Sequence, residues 1–69
     1  MMSLLFALLL GHMPTENWNH LDESNRTATI GIMAKRYFRA NDMCAEAEIS
    51  MEEKDGIMYF YGTCKKPFA

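Results

Sequence analysis

A chain of 69 residues with nine acidic and seven basic side chains, a net charge of −2 and two cysteines has room for one small domain. Such a domain buries only about 60% of its unfolded surface, so a homo-oligomer, most simply a dimer, is the expected source of further stability. The acidic balance argues against nucleic acid as a partner, and Cys44, Cys64, His12 and His20 lack the short pair spacing of a zinc site, so no metal or cofactor is expected.

The chain opens on an apolar run, Leu4 to Leu10, closed by Gly11. A membrane-spanning helix needs about 20 such residues, so no membrane span is expected. The run has the length of a signal-peptide core, but no Lys or Arg precedes it and no small-x-small cleavage site follows. A buried helix over residues 3–12 is the preferred reading, with Ser3 as cap, Gly11 as stop and Pro14 beyond. Apolar on every side, that helix needs cover on most of its surface. One three-stranded sheet covers a single side, leaving the rest to a second copy or to further chain. Residues 13–26 are polar and read as a connecting loop pinned down by Trp18 and Leu21.

From Thr27 the pattern has period two. Ala28, Ile30, Ile32, Ala34 and Phe38 share one parity, which assigns residues 27–39 to a strand. Residues 43–52 alternate most clearly: Met43, Ala45, Ala47, Ile49 and Met51 against Cys44, Glu46, Glu48, Ser50 and Glu52. One face of that strand belongs in a core and the other in water. Its Ala, Glu and Met would tolerate a helix, but the Asp55-Gly56 hairpin signal favours the strand. Residues 57–65 are apolar on both parities, as a more central third strand would be. The expected fold is α+β: one apolar helix on a three-stranded antiparallel meander, as a single domain over residues 1–69. On these faces Ile49→Lys should unfold the sheet and Glu48→Lys should be tolerated.

Few residues carry obvious chemistry. Glu46 and Glu48 share a face, as acid–base or divalent-metal pairs do, yet Glu alternating with Ala is ordinarily a solvated outer face. A disulfide between directly opposed cysteines requires paired residue numbers that sum to 108, whereas a tight Asp55-Gly56 turn gives 111 and a three-residue loop 110. Sequence does not fix register to one residue. A reduced pair is the default for a cytoplasmic chain, the expected location. His12 and His20 are of the residue type that serves as a general base, but neither has a nucleophile in a recognisable motif beside it. Tyr37, Phe38, Tyr59, Phe60 and Tyr61 read as sheet core rather than base-stacking groups, and the seven methionines as core filling. Lys35, Arg36 and Arg39 form the densest positive spot, where Arg36 or Arg39 would meet a small anion.

The stretch Thr29 to Ala40, then Asn41-Asp42, then Met43 to Ile49 resembles the middle of the hotdog-fold acyl-CoA thioesterases. There a strand ending in aromatic–leucine–Arg–Pro–Ala precedes Gly-Asp and an Ala-Glu-Ala-rich strand. Gly56 to Lys65, with Tyr61-Gly62-Thr63, is similar to the family's next strand, and the apolar run to the end of its long central helix. The likeness spans roughly residues 3–66. It departs at Phe38-Arg39-Ala40, which lacks the Pro, and at Asn41-Asp42. The family's catalytic carboxylate has no counterpart in residues 1–10, so no catalytic residue is carried over. The resemblance implies a partial hotdog domain that binds or hydrolyses acyl thioesters, dimerises edge to edge, and meets a coenzyme A thioester near Arg39 and, more weakly, Arg36. Two alternatives come from other classes. One is a small non-enzymatic module that dimerises or binds through its helix and a strand edge. The other is a small secreted protein that loses its first dozen residues, in which Asn25-Arg26-Thr27 is a glycosylation sequon.

Overall fold

A computed structural model describes residues 7–68. Its elements are β1 (Leu8–Pro14), α1 (Thr15–His20), α2 (Glu23–Ala40), β2 (Cys44–Lys54) and β3 (Ile57–Pro67).

The C-terminal hairpin forms where the alternation and turn signal put it. Asp55 and Gly56 have φ values of 54° and 79°, the left-handed conformations that a tight two-residue turn matching strand twist requires. Lys54 pairs with Ile57, and the same register runs unbroken to Ala47 and Cys64. Strand β1 pairs antiparallel with the far side of β3, giving the order β1-β3-β2. The strand that is apolar on both parities is thus the central one.

The α+β class, the three antiparallel strands and a helix packed on them are as expected, but the helix and the first strand exchange places. Of the expected helix 3–12, residues 3–6 lie outside the described residues and residues 8–12 belong to β1. A short apolar run fits strand or helix equally well, and as a strand this one gains backbone pairing with β3 from Leu8 to Pro14. The expected strand 27–39 lies wholly inside α2. Ile30, Met33 and Tyr37 fall at i, i+3 and i+7, one helical stripe, and Met33 and Tyr37 are buried. The Asp22 side chain caps the helix, accepting from the Asn25 N–H at 2.8 Å. Glu23 in the first turn and Arg39 in the last complement the helix dipole. The expected loop 13–26 holds α1 and the start of α2, although Trp18 and Leu21 do pin it to the core. With two helices between β1 and β2, the sheet is not a meander of consecutive strands.

The core gathers Leu10, Trp18, Met33, Tyr37, Cys44 and Phe60, with Phe60 completely buried. Burying one such phenylalanine contributes about 1.5–3 kcal/mol. Trp18 meets it edge-on, ring centroids 5.4 Å apart. The Arg26 guanidinium lies 5.1 Å from the centre of the Trp18 ring. Arg26 Nε also donates to the Trp18 carbonyl at 3.2 Å, tying α2 to α1. The Thr15 N–H donates to the Gly56 carbonyl at 2.8 Å, so the start of α1 is anchored on the hairpin turn.

Cys44 and Cys64 form a disulfide, with Cα atoms 5.8 Å apart, which corrects the expectation of a reduced pair. The hairpin does follow the tight-turn register. Near Ala45 and Glu46, however, β2 is irregular, and a bulge of this kind re-aims the side chains beyond it. Cys44 therefore turns from the solvent parity into the core and reaches Cys64 without being its direct partner. Met43 and Met51, expected inward, are 66% and 44% exposed, and Ala45 is exposed as well. A bridge across this sequence separation of 20 residues contributes roughly 3 kcal/mol by restricting the unfolded chain.

Candidate functional site

The alternation of β3 divides the sheet into two faces. Met58, Phe60, Gly62 and Cys64 look toward α2, with Ala47 and Ile49 of β2 beside them. On the other face, which no described element covers, strand register lines residues up in rows. Leu9, Tyr61 and Ser50 form one row, and His12, Tyr59 and Glu52 the next. Thr63 and Glu48 continue the pattern. Directly paired side chains of this kind lie about 5 Å apart at Cβ. The His12 and Tyr59 rings are 6.0 Å apart, inclined at 49°. Ala7, Ser50, Met51, Glu52 and Tyr61 line an open pocket of about 510 Å³. The surface is aromatic along the central strand, with carboxylates on the β2 side.

Strand β2 itself lies at the margin of the sheet. Its inner side pairs with β3 over most of its 11 residues. Among the described residues no strand pairs with its outer side. Glu46, Glu48, Glu52 and Glu53 are all exposed along it. Unpaired N–H and C=O groups in such a row are a template for another strand.

The residues singled out by sequence fall elsewhere or apart. Arg36 and Arg39 are on α2, three positions apart and so neighbours on its surface. They belong to the helical layer rather than to the open face. Arg36 Nη1 donates to the Leu10 carbonyl at 2.8 Å, a link between α2 and β1. Arg39 is exposed in the last turn. Glu46 and Glu48 are exposed, as a solvated face requires. His20 is exposed, 4.0 Å from Glu16 on α1. His12 and Glu52 share a row, but β3 lies between them, a separation of roughly 10 Å at the backbone. They do not form an acid–base pair. Among the described residues no group of three His, Cys, Asp or Glu side chains could hold a metal ion. No described helix is long and apolar enough to cross a membrane.

Sequence patterning does not join Ser50, Glu52, Tyr59, Tyr61 and Leu9, because it reads Leu9 as helix and places residues 27–39 rather than Leu8–Pro14 in the sheet. A signal was present: Tyr59, Tyr61 and Thr63 share the parity opposite Phe60 in a strand apolar on both sides.

No protein-family model, curated protein or solved structure matches this chain.

Proposed function

We propose that this chain is a small non-enzymatic binding module that holds its partner on the outer edge of β2 and the adjoining open face of the sheet. The observation that carries this reading is an 11-residue strand with one side unpaired among the described residues, bordered by a row of aromatic side chains. The Cys44–Cys64 bridge supports an oxidising setting rather than a cytoplasmic one. Leu10 is buried in the core, which supports retention of β1 in the working protein.

The acyl-thioester reading is the second. It is favoured by the hairpin β2–β3, which carries the Ala-Glu-Ala and Gly-Thr parts of the resemblance as strands. Arg36 and Arg39 would then take the anionic part of a coenzyme A thioester.

Thiol release from a short-chain and a long-chain acyl-CoA, measured alongside amide chemical-shift mapping with extended peptides, separates the two. Peptide-induced shifts confined to β2 and the Tyr59–Tyr61 face, with no thiol release, support the binding module. Turnover that disappears in Arg36→Ala or Arg39→Ala would overturn it in favour of the thioester reading.

A further inference from the structure

Resting on the binding-module reading, we infer that the β2 edge takes an extended basic segment of another protein as an added antiparallel strand. Backbone hydrogen bonding makes any edge receptive; the charges of β2 choose the partner. Along one face of the strand lie Glu48, Ser50 and Glu52. The two carboxylates are four residues apart, about 13 Å at strand rise. The opposite parity presents Ile49, which is half-buried, and Met51, which is 44% exposed. A complementary strand therefore has Lys or Arg at positions i and i+4, opposite Glu52 and Glu48. It has apolar residues at i+1 and i+3, opposite Met51 and Ile49. A side chain at i+2 meets Ser50 at the rim of the 510 Å³ pocket.

A second copy of β2 fits this edge poorly. Two-fold antiparallel pairing sets a residue against itself at the centre, and directly opposed like charges are destabilising. Centred on Glu48 or Glu52, the pairing opposes that glutamate to its own copy. Centred on Ala47, Ile49 or Ser50, it opposes Glu46 to Glu48, Glu46 to Glu52, or Glu48 to Glu52. The register centred on Met51 escapes this and pairs Glu48 with Lys54, but it sets Ile49 against Glu53. The same glutamates that discourage self-pairing attract a basic strand.

The test uses the full chain with its disulfide intact and a blocked peptide, Lys-Val-Thr-Val-Lys. Its controls are Glu-Val-Thr-Val-Glu and a version with Pro at the central position. Amide shifts locate the site, and titration gives the affinity. The basic peptide should bind at β2 and the proline version should not. In the doubly reversed variant Glu48→Lys/Glu52→Lys its affinity should fall by about tenfold or more, since two favourable cross-strand pairs become repulsive. That variant should gain affinity for the acidic peptide, a rescue that misfolding would not produce. Binding at β2 without regard to peptide charge would overturn the basic partner while leaving the binding module standing. Self-association through β2 with no peptide binding would overturn it in favour of a second copy. A monomer that binds neither its own copy nor any peptide would count against both the inference and the binding-module reading.

Discussion

Gly62 sits beneath the ring of Tyr37: a Cβ at position 62 would lie 2.5 Å from Tyr37 Cδ1 and 2.9 Å from Leu10 Cδ1. The helix rests on the central strand at a point where β3 has no side chain to oppose it. Tyr37 is 4% exposed, and its hydroxyl accepts from Asn41 Nδ2 at 3.0 Å, just past the helix end. The ring is held between a backbone that admits it and a cap residue that fixes its tip.

Gly62→Ala should therefore destabilise the fold by about 1–3 kcal/mol through overpacking. Gly31→Ala is the matched control. Gly31 is inside α2 with open space around it, and alanine there should stabilise by about 0.5–1 kcal/mol. Urea unfolding of the two variants checks both signs. Equal behaviour would contradict the packing of α2 on β3.

Reduction, or the double variant Cys44→Ala/Cys64→Ala, should lower stability by about 2–4 kcal/mol. Thiol titration of the oxidised chain in denaturant should find no free thiol. Two free thiols in freshly purified protein, with stability unchanged by reductant, would count against the bridge.

Arg26→Ala removes the cation over Trp18 and its hydrogen bond to the Trp18 carbonyl together. A loss of about 1–2 kcal/mol is expected. The fluorescence of Trp18, the single tryptophan, should shift in the folded state, reporting looser docking of α1 against α2.

Ile49→Lys places an ammonium among half-buried neighbours of the core and should cost about 2 kcal/mol or more. Glu48→Lys changes an exposed position and should stay within about 0.5 kcal/mol. Thermal melts of the pair test the assignment of faces in β2, and equal losses would refute it.

These residues also mark how far the fold was legible. The hairpin could be read because two independent signals agree there: alternation along β2, and the Asp55-Gly56 pair whose left-handed φ values close the turn. Trp18 and Leu21 stood out as the apolar members of a polar stretch. The exchange of β1 and α2 was not legible, because Leu8 to Leu10 have helical propensity and Ala28, Ile30, Ile32 and Ala34 mimic a strand. The stripe Ile30, Met33, Tyr37 and the Asp22 cap were the competing signals. The cysteine bridge depends on an irregularity near Ala45 that no local residue type announces. Glu46 and Glu48 were readable as an exposed face. That they lie on a sheet edge depends on β1 pairing with β3, a long-range relation beyond any local pattern.

Amide hydrogen exchange along β2, in dilute protein without a partner, tests the available edge most directly. Inward amides bonded to β3 should be protected and outward ones should exchange rapidly, an alternation along Ala47–Lys54. Residues Ile57–Gly62 of β3, bonded on both sides, should be protected throughout. Adding a binding partner should slow the fast set alone. Uniform protection along β2 in the free chain would mean that its outer side is already paired, contradicting the proposed site.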